Sequence, residues 1–212
     1  MRNKKPDKKN ILLAKNLYEL RQAIDVHRVI GLNKANLSGK PGAVFLAQCQ
    51  SFAVNVITLN ICKAYEYEKR YPLNSISGII TSLPDKNYSA FVLREVETFC
   101  GTYGEKRKST RCVVLLRRTL RRFKNAHRRS LVMLKTVRDK QVAHSEYPVR
   151  RRLLPSHAEF EALFRFAYDF YKVVSRVFIG VFPASEARHV EVSLLKLMEA
   201  IGVSMPQHDF SD

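Results

Sequence analysis

The sequence contains few of the residues that interrupt helices. Among its 212 residues there are only 8 glycines and 8 prolines. Long stretches in which apolar and polar residues alternate, the pattern of half-buried strands, are also missing. Hydrophobic residues make up 46% of the chain, so it can bury a substantial core and is not expected to be disordered. We therefore predict an all-α protein.

Cysteine is scarce, and none of it is arranged to bind a metal ion. No two cysteines have the CxxC spacing, and no cysteine or histidine pair has the spacing of zinc ligands. A structural zinc site is therefore not expected. We predict free, buried thiols in a protein of the reducing cytoplasm. The four residues concerned are Cys49, Cys62, Cys100 and Cys112.

The motifs of several large enzyme classes are missing as well. The chain has no glycine-rich phosphate loop, no serine nucleophile elbow, no HExxH zinc motif and no paired catalytic carboxylates. These absences argue against nucleotide hydrolysis on a phosphate loop, serine hydrolase chemistry and zinc proteolysis. We expect neither a cofactor nor a metal.

Acidic residues are outnumbered, and the excess of positive charge is concentrated. The chain has 37 lysines and arginines against 19 aspartates and glutamates, a net charge of +18. Residues 105–152 hold 17 basic and 3 acidic residues, and residues 1–9 hold 5 basic and 1 acidic residue, which accounts for the whole excess. Such clustering predicts a polyanionic partner. The alternative is a soluble protein with an incidental basic face.

The apolar pattern predicts a single helical domain over residues 10–204. Residues 1–9 are predicted to form a basic flexible arm, and residues 205–212 a polar tail. The longer helices are predicted near residues 10–33, 43–69, 88–100, 106–129, 131–147, 157–180 and 186–202.

Two helices carry clear capping signals. Ser75 or Ser77 is expected to cap a short helix that ends before Pro84. Ser156 and Glu159 have the spacing of a capping box at the start of the helix over residues 157–180. The aromatic residues of that helix are expected to be core or dimer contacts rather than platforms for stacking bases.

The most apolar stretch, residues 43–62, raises the question of a membrane span. About 20 predominantly apolar residues are needed to cross a bilayer, and polar residues such as Gln48, Asn55 and Asn60 interrupt this run. We therefore interpret it as the central buried helix of a bundle and expect no membrane association.

The basic segment is rich in arginine, which binds phosphate oxygens in a bidentate manner. Its cations are therefore candidate contacts to nucleic acid, although long basic side chains also cover apolar surface on ordinary solvated helices. The candidates are Arg117, Arg118, Arg121, Arg122, Lys124, Arg128, Arg129, Lys140, Arg150, Arg151 and Arg152.

The segment RDKQVAHSEYP, residues 138–148, contains the best candidates for catalytic residues. On an ideal helix, Arg138 and His144 would point about 120° apart with a rise of about 9 Å, so a second copy of the chain would help to complete a pocket. The structural alternatives are that His144 caps the end of its helix and that Arg138 pairs with Asp139 or Glu146.

RDKQVAH resembles the motif of HEPN domains (higher eukaryotes and prokaryotes nucleotide-binding), in which arginine, a polar residue and then histidine lie near the end of a helix. The resemblance assigns these roles to Arg138, Asp139 and His144. Two further segments, AYEYE at 64–68 and NSISGII at 74–80, resemble HEPN proteins of the abortive-infection U-type group. The similarity implies an up-and-down helical bundle with additional helices.

The family resemblance further implies a metal-independent endoribonuclease, usually a homodimer and often a toxin or phage-defence effector. His144 would accept the proton of a ribose 2′-hydroxyl, and Arg138 would stabilise charge on the phosphate. Asp139 would orient one of the two. A non-catalytic helical module that binds RNA or DNA remains the alternative. An acidic antitoxin protein would be a suitable partner for so basic a chain.

Overall fold

A computed structural model describes residues 4–66, 75–142, 154–181 and 189–203. Regular structure within these ranges is helical and includes no strand, which confirms the predicted all-α class. The helices are α1 (Lys4–Leu32), α2 (Lys34–Leu37), α3 (Ala43–Tyr65), α4 (Ile76–Ser82), α5 (Ala90–Thr102), α6 (Cys112–Ala126), α7 (Arg128–Val137), α8 (His157–Val173) and α9 (His189–Ala200). π-Helical turns extend α7 over Arg138–Val142 and α8 over Val174–Ile179.

The first helix begins earlier than the sequence predicted. α1 starts at Lys4, so residues 4–9 of the segment predicted as a flexible arm belong to this helix. Pro6 lies in the first turn, where a missing backbone N–H removes no helical hydrogen bond. Asp7 in the same turn interacts favourably with the helix dipole. Lys9 Nζ also donates to the carbonyl of Gly78 at 3.1 Å, which ties this end of α1 to α4.

The centre of the protein is formed by α1, α3 and α8, which pack against one another. The predicted core role of the α8 aromatics is confirmed, since Phe160, Phe164, Phe166 and Phe170 are all fully buried. Phe166 stacks on Phe123 of α6 with ring centroids 4.0 Å apart. α8 therefore fixes the position of α6, the helix that carries most of the arginines.

The apolar helix α3 is buried on one side only. Ile57 and Ile61 lie in the core, but Val44, Phe45 and Phe52 are 75%, 61% and 66% exposed. α3 thus differs from the central buried helix that its composition predicted. It is long and apolar enough to cross a membrane, with 33% of its most apolar window buried within the fold. Core helices of soluble proteins meet the same criteria.

The predicted capping residues are confirmed at both helices. Ser75 Oγ accepts a hydrogen bond from the amide of Gly78 at 3.1 Å. Ser156 and Glu159 form the full capping box. Hydrogen bonds from the hydroxyl of Ser130 and the amide of Ser156 lower the pKa of Glu159. This carboxylate therefore joins the start of α8 to α7.

The predicted helix over residues 106–129 is shorter than expected and is broken. α6 begins only at Cys112, because the amide of Arg111 donates to Ser109 Oγ at 3.2 Å and the preceding backbone is not helical. A turn at His127 then separates α6 from α7. The four cysteines are free, as predicted, and all but Cys49 are buried.

A buried ionic cluster joins α1 to α8 and α9. Asp25 is 0% exposed, and Arg21 Nε donates to both of its carboxylate oxygens at 3.1 Å. Arg21 Nη1 donates to Glu161 Oε2 of α8 at 2.9 Å, and Arg21 Nη2 donates to Asp25 Oδ1. Arg28 pairs with Glu191 of α9 and lies 3.9 Å from Asp25. We call these five residues the ionic cluster.

Candidate nucleic-acid interface

A groove of about 700 Å³ lies between the C-terminal end of α3 and the helices α6 and α7. A second pocket of about 490 Å³ lies between α4 and α6. Lys124 and Asn125 line both, so the two pockets form one continuous surface, which we call the basic groove. Its polar lining consists of Glu66, Ser77, Thr81, Arg117, Arg121, Lys124, Asn125, Arg128, Lys135 and Arg138.

The spacing of apolar residues in α6 explains why this helix faces the groove with its cations. Val113, Leu116, Leu120 and Phe123 were predicted as its apolar stripe, and all four are buried. Burial of this stripe against α4 and α5, with Phe123 stacked on Phe166 of α8, leaves the intervening arginines in solvent. The positive charge that α6 brings to the groove therefore follows from the helical spacing of its apolar residues.

One set of predicted cations lines the basic groove. Arg117, Arg121 and Lys124 are separated by four and three residues, which places them along one face of α6, and Arg128 is the first residue of α7 after the turn at His127. The three arginines are exposed, and within the described ranges no acidic side chain forms an ion pair with them. Their charge is available to an external anion.

The remaining described candidates lie elsewhere on the surface. Arg118, Arg122 and Arg129 are exposed but are not among the residues that line the basic groove. Arg122 lies beside Gly104, in the connection between α5 and α6. Lys140 is exposed in the π-helical turn after α7. The structure thus divides the predicted interface into a groove set and an outer set.

Arg138 lies in the basic groove at the first position of the π-helical turn, a form of helix that is frequent at functional sites. Its Nε and Nη2 donate to Asp139 Oδ1 at 2.9 and 2.6 Å, and its Nη1 donates to Glu66 Oε2. Burial alone would lower the pKa of Arg138, but these hydrogen bonds raise it. The expected pairing with Asp139 is therefore present, together with a second carboxylate.

Glu66 reaches Arg138 because α3 ends one residue before it. The sequence predicted a helix continuing to residue 69, but the backbone at Glu66 is extended, with φ −79° and ψ 151°. The carbonyl of Tyr65 accepts a hydrogen bond from Lys124 Nζ at 2.9 Å, which satisfies a group that the helix end leaves without a partner. Burial lowers the pKa of Lys124, and Glu66 partly opposes this shift.

Sequence reasoning missed five polar residues of the basic groove, namely Glu66, Ser77, Thr81, Asn125 and Lys135. Glu66 lies in AYEYE, one of the segments that resemble HEPN proteins, but 72 residues separate it from Arg138. Partners for Arg138 were sought only among its neighbours in the chain. Glu66 could have been found from its position near the end of an apolar helix, because a carboxylate at such a position needs a cation nearby.

Several predicted residues lie outside the described ranges. They are His144, Glu146, Arg150, Arg151 and Arg152, together with the predicted tail at 205–212. The proposed pairing of Arg138 with His144 thus stays a prediction. The predicted nucleic-acid contacts of Arg150, Arg151 and Arg152 stay predictions too.

Comparisons with models of protein families, with curated proteins and with solved structures found no match.

Proposed function

We propose that this protein is a metal-independent endoribonuclease of HEPN type that binds RNA along the basic groove. The observation that carries the proposal is the position of Arg138, the motif arginine, in a groove whose exposed arginines pair with no acidic side chain of the described ranges. Phosphate oxygens are the natural ligands of such guanidinium groups. The resemblance of RDKQVAH to the HEPN motif supplies the chemistry.

In the proposed reaction, His144 takes the proton of a ribose 2′-hydroxyl, and the 2′-oxygen attacks the adjacent phosphorus. The bond to the 5′-oxygen breaks, and that oxygen acquires a proton. Arg138 stabilises the negative charge that develops on the phosphoryl oxygens. Asp139, which accepts two hydrogen bonds from Arg138, holds the guanidinium in orientation. The products are a 2′,3′-cyclic phosphate and a 5′-hydroxyl.

The test is RNA cleavage by purified variants in the presence of EDTA. Arg138→Ala and His144→Ala are expected to lower the rate by about 10²- to 10³-fold, the usual cost of losing a charge-stabilising group or a proton acceptor. Arg122→Ala removes an exposed cation outside the groove and should cleave nearly as the unchanged protein does. Retained helical circular dichroism and unfolding temperature would show that each variant is folded.

Cleavage that requires a divalent metal would overturn the mechanism. Cleavage that survives either substitution would overturn the assignment of the site.

A second candidate is a helical module that binds nucleic acid without cutting it. It is favoured by the carboxylates of Glu66 and Asp139, which already occupy Arg138. In this case His144→Ala would leave RNA affinity unchanged and no cleavage would be found. Filter binding of His144→Ala against the unchanged protein, combined with the cleavage assay, separates the two functions.

The family resemblance also leads us to propose a cytoplasmic homodimer that acts as a toxin or defence effector. Equilibrium sedimentation would measure the molar mass, with a dimer expected. An acidic antitoxin would bind the basic groove and compete with RNA. Growth arrest on expression, abolished in Arg138→Ala, is the expected cellular outcome.

A further inference from the structure

The contact between Glu66 and Arg138 has the features of a contact that a ligand can replace. Both side chains are partly exposed, at 30% and 26%, and both line the basic groove. Asp139 is the residue next to Arg138 and moves with it, whereas Glu66 arrives from another helix. A phosphate that approaches Arg138 along the groove therefore meets Glu66 as its competitor.

Only one of the two carboxylate oxygens of Glu66 accepts a hydrogen bond from a described residue. Its Oε2 accepts from Arg138, but its Oε1 is buried and has no hydrogen-bond partner among the described residues. A buried charged oxygen without a partner costs free energy. The neighbouring Cys62 stays a neutral thiol, because burial and the charge of Glu66 raise its pKa to about 12.

The ionic cluster shows what a fully satisfied pair looks like in the same chain. There Asp25 is 0% exposed and accepts from Arg21 through both oxygens. No part of that pair lines the basic groove. The pair of Glu66 and Arg138 is partly exposed, uses only one carboxylate oxygen and lines the basic groove. These differences point to a role other than holding helices together.

The C-terminal end of α3 also accepts a hydrogen bond from a second cation of the basic groove. Lys124 Nζ donates to the carbonyl of Tyr65, the residue directly before Glu66. A helix C-terminus carries partial negative charge, so this carbonyl and the Glu66 carboxylate together present an anionic group to the groove. They lie where Arg138 and Lys124 would otherwise meet an RNA phosphate.

We propose that Glu66 positions Arg138 in the free protein and gives way to an RNA phosphate, so that its carboxylate sets the RNA affinity of the site. This inference rests on the proposed function for the identity of the ligand. Phosphate exchanges for carboxylate on the same guanidinium, and Glu66 moves into solvent as RNA binds. Binding then has to overcome one ion pair that is already formed.

The experiment is fluorescence anisotropy with a labelled, fully 2′-O-methylated RNA oligonucleotide of random sequence, titrated at several salt concentrations. This probe has no free 2′-hydroxyl and cannot be cut, so its affinity is independent of catalysis. Glu66→Gln removes the competing charge and is expected to bind about fivefold more tightly. The log–log salt dependence should be the same in both proteins, because Arg138 contacts one phosphate in each complex.

Glu97→Gln is the matched control, because Glu97 is exposed on α5 and does not line the basic groove. It changes the net charge by the same amount, so any general charge effect will appear in both variants. The expected gain of Glu66→Gln is the gain in excess of this control. In a cleavage assay the gain should appear as a lower KM rather than as a change in kcat.

Unchanged or weaker binding by folded Glu66→Gln would overturn the proposal, as would the absence of binding by this variant. Failure of both Glu66→Gln and Glu66→Ala to fold would overturn it too, because the fold cannot depend on a contact that RNA displaces. The proposed nuclease function fails separately. Tighter binding by Glu66→Gln without any cleavage of ordinary RNA would retain the role of Glu66 and remove the enzyme.

Discussion

Arginine is used in two different ways in this protein. In the ionic cluster, Arg21 is buried, and its guanidinium lies between the carboxylates of Asp25 and Glu161. In the basic groove, Arg117 and Arg121 are exposed, and no acidic side chain of the described ranges pairs with them. Charge that is neutralised inside the fold contributes to structure, whereas charge left in solvent along a groove is available for a ligand.

Arg138 combines features of both regions. It lies in the basic groove and is partly exposed, yet it is paired with two carboxylates. One carboxylate belongs to Asp139, its neighbour in the chain. The other belongs to Glu66, whose Oε1 has no hydrogen-bond partner among the described residues. We propose that these contacts hold Arg138 in place until a ligand arrives.

The largest effect is expected where charge is most deeply buried. Asp25→Ala leaves Arg21 and Arg28 without their shared partner, and breaking a buried pair on one side typically costs about 3–5 kcal/mol. Urea unfolding followed by circular dichroism measures this loss. Asp85→Ala is the matched control, because Asp85 pairs with Arg111 on the surface at 2.7 Å. Its cost should stay below about 1 kcal/mol.

Equal losses in Asp25→Ala and Asp85→Ala would contradict the distinction between buried, structural charge and exposed charge.

The second prediction separates the groove set of arginines from the outer set. The triple variant Arg117→Gln, Arg121→Gln and Arg128→Gln should weaken RNA binding at low salt. Its log–log salt dependence should become shallower by about 2, because three phosphate contacts to single-stranded RNA are lost. Anisotropy with the methylated probe makes this measurement.

The matched variant carries glutamine at the outer positions Arg118, Arg122 and Arg129 and has the same net charge. It should keep a salt dependence close to that of the unchanged protein. If both triple variants lost the same number of contacts, RNA would be binding the whole basic surface rather than the groove.

The smallest effect concerns pH and the histidines beside the ionic cluster. Burial and the neighbouring His157 lower the pKa of His27, whose ring stacks on that of His157 at 6.4 Å. Burial lowers the pKa of His157 too, and Arg28 and Arg21 add to this, while Glu161 and Asp25 partly oppose it. The unfolded chain therefore takes up protons first as pH falls below about 6.5, and stability declines from there towards the lowered pKa values.

Unfolding temperatures measured between pH 7 and pH 5 should consequently fall in the unchanged protein. The double variant His27→Gln and His157→Gln should show a flatter profile, whereas His127→Gln should keep the original slope. An unchanged slope in the double variant would place the acid sensitivity elsewhere. The carboxylate of Glu159, whose pKa is lowered, contributes only below about pH 4.5.

Much of the fold followed from local patterns in the sequence. The apolar stripe of α6 and the caps at Ser75 and Ser156 depend on residues a few positions apart, so periodicity and capping rules predict them well. The boundary between α6 and α7 lies at His127 rather than between residues 129 and 131 as predicted, because His127 is not a helix-breaking residue. The start of α1 at Lys4 was not predicted, because residues 1–9 were interpreted from their charge.

The site was predictable only in part. The motif located Arg138 and its partner Asp139, and the charge distribution located the arginines of α6. Which of those arginines face one groove depends on how α6 packs against α4 and α7, and the role of Glu66 depends on the path of a different helix. Such contacts between distant segments are set by tertiary packing and leave no periodic signal.

The most direct test of the central claim is the site of cleavage in chimaeric oligonucleotides. A random-sequence DNA pool containing one ribonucleotide per strand would be incubated with the protein in EDTA, and the product ends would be identified by mass spectrometry. Attack by a ribose 2′-hydroxyl predicts cleavage only after the ribonucleotide, leaving a 2′,3′-cyclic phosphate, and no cleavage with Arg138→Ala. Cleavage at deoxyribonucleotides, or products that end in a 5′-phosphate, would contradict it.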